Sequence, residues 1–129
     1  SEIESIGDSC YNLARTLNRL HGSRDGFNEK QMGHIHQMFN LANDALTEMN
    51  VMLNGKKAAL NVNHSFNIEL EINNYRNQLK NQNINDVNNH VYTYAIGTMY
   101  MDIINECEKL GDYIVNVVEA RMGTRQKRE

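Results

Sequence analysis

The chain has 129 residues, a formal net charge of -3, 40% hydrophobic and 22% charged residues, no proline and seven methionines. One domain with its own core is expected, because a chain of this length buries enough surface to fold without disulfides or a structural metal. The only basic run is the tail Arg121, Arg125, Lys127 and Arg128, so a nucleic-acid footprint is excluded, and no stretch approaches the roughly 20 apolar residues of a membrane span.

The first residues carry Ile3, Ile6, Cys10, Leu13, Leu17 and Leu20 in alternating steps of three and four, which predicts a helix to about His21. It begins inside an acidic motif, at Ser rather than Met and with no cap before it. That start points to a fragment of something longer or to an expression boundary. Gly22 to Gly26 is a turn-rich joint, after which Phe27 and Asn28 read as a hydrophobic staple and an N-cap, with Gln31 three places on,.

The second helix has the stripe Met32, Ile35, Phe39, Ala42, Leu46, Met49 and Leu53. Asn54-Gly55 reads as its left-handed cap. Lys56 to His64 is a loop, with Ser65 as the next cap, and a third helix sets Ile68, Ile72, Tyr75 and Leu79 on one face, with Leu70 off that stripe,. Asn81 to Asn85 reads as the break before a last helix that carries Val87, Val91, Tyr94, Thr98 and Met101 and then drifts to Ile103, Cys107, Leu110, Ile114 and Val117. A seam that changes phase implies different neighbours at the two ends or a kink. The expected fold is all-α, an antiparallel arrangement of four helices with short joints, and a final cap near Gly123.

Two cysteines, Cys10 and Cys107, fall in apolar series and belong to no Cys-x-x-Cys or Cys/His cluster, so they are expected to be reduced and buried,. The methionines of the second helix, Met32, Met38, Met49 and Met52, read as core filling. His34 and His36 diverge by about 200° on a helix and cannot grip one metal together; both read as surface or flank residues. None of the five histidines has a Glu three residues before it, as a ferritin-like di-iron bundle requires, and no nucleophile elbow, P-loop or dinucleotide fingerprint is present. Nothing in the sequence supports catalysis.

The chemistry-bearing feature is a repeat. Glu2-Ile3-Glu4-Ser5-Ile6-Gly7-Asp8 is answered by Glu106-Cys107-Glu108-Lys109-Leu110-Gly111-Asp112, and the match runs on to Asn12-Leu13 and Asn116-Val117. Glu4 and Asp8, like Glu108 and Asp112, are carboxylates one helical turn apart, and on a wheel Glu4 and Asp8 lie about 40° from each other and away from the apolar stripe. Such a pair repels when unpaired, so a cation or a basic partner would neutralise it. Oxygen ligands suit Mg, Mn or Fe better than zinc. Gly7 and Gly111 each cost about 1 kcal/mol relative to Ala inside a helix, which points to close packing by a neighbouring helix. One Glu-x-x-x-Asp alone is an ordinary solvated face; two copies sharing Gly, Asn and the flanking Glu mark common ancestry of two helices, with or without a metal.

The doubled motif resembles the Asp-Leu-Glu-Arg-Ile-Gly-Asp signature of PhoU-family domains. With the intervening FNEKQMGHIHQMFNLANDALTEM helix and the VVEARMG end, residues 1–129 are most similar to the cytosolic C-terminal PhoU-like domain of bacterial sodium/phosphate cotransporters. The resemblance implies a single helical domain that regulates phosphate uptake on the cytoplasmic face of the bacterial inner membrane. It implies the transmembrane portion of a parent transporter as partner, a homodimer as one assembly, and no enzymatic activity. Carried over by position, the metal ligands are Glu4, Asp8, Glu108 and Asp112, with Glu2 and Glu106 as further candidates. Ser5 and Lys109 stand where the family has Arg, Ser9 and Tyr113 where a His is common, and the third helix offers Glu69-x-x-x-Asn73 in place of a further acidic pair. A soluble PhoU-type regulator and a metal-free scaffold for protein interaction are the alternatives.

Overall fold

The structure, a computed structural model, describes residues 1–21, 26–56 and 61–123. The described residues form four helices: α1 (Glu2–His21), α2 (Glu29–Asn54), α3 (Asn63–Asn88) and α4 (Tyr94–Met122). Of the joint predicted at Gly22 to Gly26, residues 22–25 lie outside the described residues, as do residues 57–60 of the loop predicted at Lys56 to His64.

Helix starts follow from local chemistry. Ser1 supplies the cap that α1 was expected to lack, its hydroxyl accepting the Glu4 N–H at 3.3 Å. At α2 the capping box forms in full: Asn28 Oδ1 accepts the Gln31 N–H at 2.8 Å and Gln31 Oε1 accepts the Asn28 N–H at 3.0 Å,. Thr93 caps α4 through the Ile96 N–H at 3.2 Å. Gly123 ends α4 in the left-handed conformation, as expected, with φ 68°,. Gly55 does not do the same for α2: its φ is -85° and it is extended.

Two boundaries differ from the sequence reading. Ser65 is not a cap; α3 begins two residues earlier at Asn63, whose N–H is taken by Asn61 Oδ1 at 2.9 Å, and Ser65 is buried inside the helix. The asparagine-rich stretch 81–85 does not break the chain either. Asn83 Oδ1 accepts the Tyr92 hydroxyl at 2.7 Å, and Val87 packs so closely on Gly97 that a Cβ there would lie 2.7 Å from Val87 Cγ2. These contacts fold α3 back on α4 and override weak helix propensity. The turn falls at Asn89 to Tyr92, with His90 at a φ of 57°.

Helix α4 is the axis of the fold. Cross-helix pairs set the directions: Lys30 meets Asp86 and Glu48 meets His64, so α2 and α3 are antiparallel. His34 meets Tyr100 and Gly55 meets Arg121, so α2 and α4 run parallel. These three helices enclose Ile35, Met38, Met52, Ile72, Leu79, Ile103, Ile104 and Ile114. Helix α1 lies antiparallel along α4 and packs chiefly on it. The predicted phase drift of α4 therefore has a third cause, since adjacent pairs such as Ile103/Ile104 and Ile114/Val115 are all buried. Adjacent residues point about 100° apart, so α4 offers a wide apolar arc to neighbours on both sides and is one continuous helix.

Two stripes are corrected accordingly. On α2 the buried face is Gln31, Ile35, Met38, Leu41, Ala42, Ala45, Met49 and Met52, while Met32 and Leu53 are exposed. On α1, among the residues whose burial is described, only Ile6, Ser9 and Leu13 are buried. Cys10, expected in the core, is exposed, and Ile3 is 63% exposed, because one partner helix covers only part of an apolar stripe.

Candidate functional site

Antiparallel packing of α1 on α4 brings the two copies of the repeat face to face. Asn12 Nδ2 donates to Glu106 Oε1 at 3.4 Å, and Asn116 Nδ2 donates to Glu2 Oε2 at 3.4 Å. The offset that carries Glu2 onto Glu106 also carries Asn12 onto Asn116. Each copy thus gives its Asn to the other's Glu, which is the contact pattern of a local two-fold axis. Glu2 and Glu106, considered as further metal ligands, serve here as half-buried acceptors between helices.

The second copy faces α3. Gly111 is buried, and a Cβ on it would lie 3.3 Å from Ile72 Cδ1, so this glycine does admit a neighbouring helix. One turn along each helix from that contact, Arg76 Nε stands 2.9 Å from Glu108 Oε2 and 2.9 Å from Asn105 Oδ1. Its Nη1 donates to Asn77 Oδ1 at 2.9 Å. Around this pair opens a cleft of about 430 Å³ lined by Arg76, Asp102, Asn105, Glu106, Glu108 and Lys109; Lys109 Nζ lies 3.9 Å from Glu106 Oε2. Asp112 is half-buried and interacts with its surroundings.

The first copy is more open. The Glu4 side chain is 82% exposed, 3.6 Å from the Ser1 amino group, and Asp8 is exposed, so both point outward as the wheel required. Gly7, expected to admit a close neighbour like its counterpart, has nothing within 4 Å of a Cβ position. Its difference from Gly111 is that α4 has α3 against it at this level and α1 does not.

The geometry does not gather Glu4, Asp8, Glu108 and Asp112 into one donor set. Among the described residues no three His, Cys, Asp or Glu side chains are grouped to hold a metal ion. A multinuclear metal group fits the α4 copy poorly for a direct reason: the Glu108 carboxylate already faces a guanidinium fixed by three oxygen partners.

Two features escaped the sequence reading. One is Arg76, one position past the stripe residue Tyr75 and so on the flank of α3 that meets α4; its place next to the stripe was the available signal. The other is a mostly polar cluster at the end of the bundle where α2 begins and α3 ends, lined by Lys30, Gln31, His34, Leu79, Gln82, Asn83, Asp86, Tyr92 and Tyr100. There His34, expected at the surface or on the flank of its helix, is half-buried, with Nδ1 2.9 Å from the Tyr100 hydroxyl. Burial, reinforced by Lys30 and opposed by Asp86, lowers the His34 pKa. Burial also raises that of Tyr100 well above a normal phenol and pushes the Cys107 thiol up to about 12, with the Glu106 charge adding to it.

Compared with known families, residues 30–120 match the PhoU domain. The match spans α2, α3 and nearly all of α4 and leaves α1, with the first motif copy, outside it. No curated protein and no solved structure matches the chain. Well over half of the sequence lies within the matched region, its helices form the expected all-α bundle, and the chain belongs to the PhoU domain family.

Proposed function

We propose that this domain regulates phosphate uptake by contact with a transport protein, as the cytosolic part of a sodium-dependent phosphate transporter at the inner membrane of a bacterium. The observation that carries the regulatory reading is the PhoU match across the α2–α4 bundle. Support for action by contact comes from α1, which packs chiefly on α4 and leaves Ile3 and Tyr11 63% and 66% exposed; apolar groups so placed on one helix suit a protein partner. The partner in this reading is the transmembrane portion of the same polypeptide.

The coding sequence upstream of Ser1 tests the transporter context. Several apolar spans of about 20 residues there agree with it, and a start codon directly before Ser1 replaces it with the free PhoU-type regulator. The regulatory role itself is tested by deleting residues 1–129 from the parent gene and following labelled phosphate uptake. Loss of the response to phosphate repletion is expected, and an unchanged response contradicts the proposal.

A further inference from the structure

We infer that Arg76 is the resident cation of the second acidic motif, so that Glu108 recruits helix α3 rather than a metal ion. This inference rests on the family membership and on the cleft geometry, not on the transport role, so the two can fail separately.

Several observations converge on it. The Arg76 Nε–H donates to Asn105 Oδ1 at 2.9 Å, the same nitrogen lies 2.9 Å from Glu108 Oε2 as an ion pair, and Nη1–H goes to Asn77 Oδ1 at 2.9 Å. A guanidinium held by three oxygens has a fixed place and presents its charge to the Glu108 carboxylate in a planar, directional geometry. The ion pair is neither a fully solvated surface pair nor a dry one, with side chains 27% and 29% exposed. The cleft as a whole is close to charge balance, since Asp102, Glu106 and Glu108 are set against Arg76 and Lys109. A divalent cation on Glu108 would therefore meet a fixed positive charge at contact distance and only a small surplus of carboxylate. The placement is built into the helix packing: Ile72 against Gly111 sets the α3–α4 spacing, and one turn away the same spacing delivers Arg76 to Glu108.

The consequence is that this motif copy works without metal, its carboxylate acting as a clamp for α3. The test uses the 129-residue chain, its Arg76→Gln and Glu108→Gln variants and the double variant, each melted with EDTA and with Mn²⁺. For the wild type the melting temperature is expected to be the same in both. Each single variant is expected to lose about 3–5 °C, and the double variant no more than the larger single loss, because both remove one interaction. A Mn²⁺-dependent rise of the wild-type melting temperature that Glu108→Gln abolishes would overturn the inference, as would fully additive losses. If a variant fails to fold, amide resonances of the wild-type chain decide. Paramagnetic broadening by Mn²⁺ centred on Glu108 and Asp112 overturns the inference, and its absence there supports it.

Discussion

Asn12 on α1 donates to Glu106 on α4 at 3.4 Å, and the same two residue types meet again where Asn116 donates to Glu2. A duplicated sequence that folds antiparallel upon itself makes one contact twice. Asn12→Ala and Asn116→Ala are each expected to cost about 0.5–1 kcal/mol, the net worth of a partly buried hydrogen bond. The two sites lie some ten residues apart along each helix, or about 15 Å, so the losses should add. Urea unfolding of both single variants and the double variant checks this; one silent variant would show that only one of the two contacts persists in solution.

The two motif glycines separate by environment. Gly7 stands in open space on an exposed part of α1, so Gly7→Ala is expected to stabilise the chain by about 0.5–1 kcal/mol through helix propensity. Gly111 faces Ile72 at tight contact, and Gly111→Val is expected to destabilise by about 1–3 kcal/mol through overpacking. Opposite shifts in denaturation midpoint are the readout. A loss of stability in Gly7→Ala would mean that α1 packs against something more than α4.

Acid should loosen the end of the bundle where α2 meets Tyr100. The His34 pKa is lowered by burial first and by Lys30 second, with Asp86 opposing. A histidine whose folded pKa lies below the unfolded one binds its proton less readily in the folded state. Its stabilising contribution is complete above about pH 6.5 and declines as the pH falls through the unfolded pKa toward the folded one. His34→Gln removes the titration. The difference in stability between wild type and His34→Gln is expected to shift in favour of the variant between about pH 7 and pH 5, measured by thermal unfolding across that range; a constant difference would contradict the assignment.

Much of the fold was legible because local chemistry decided it. Asn28 with Gln31 announced a capping box, Ile68, Ile72 and Leu79 announced the inner face of α3, and Gly123 announced a left-handed cap; all three formed. Periodicity failed where it had to know the neighbour. It marked Cys10 and Ile3 as apolar-face residues without showing that α1 meets chiefly one helix, and it preferred Met32 to Met38 because both α2 stripes have the same spacing. The asparagines at 81–85 were read as a break by propensity, whereas Tyr92 and the Val87–Gly97 contact hold them in a helix. In the site, the repeat was visible and so was the outward aim of Glu4 and Asp8. The meeting of Arg76 with Glu108 was not, since 31 intervening residues separate side chains that only the α3–α4 packing brings together.

The most direct test of the account is the response of phosphate uptake to the domain itself. Cells carrying the parent gene, intact or lacking residues 1–129, are starved of phosphate and then replenished, and uptake of labelled phosphate is followed. The account predicts that the intact protein reduces its uptake after replenishment and that the truncated one, present at the same level in the membrane, keeps the starved rate. Equal decline in both would contradict a regulatory role for this domain.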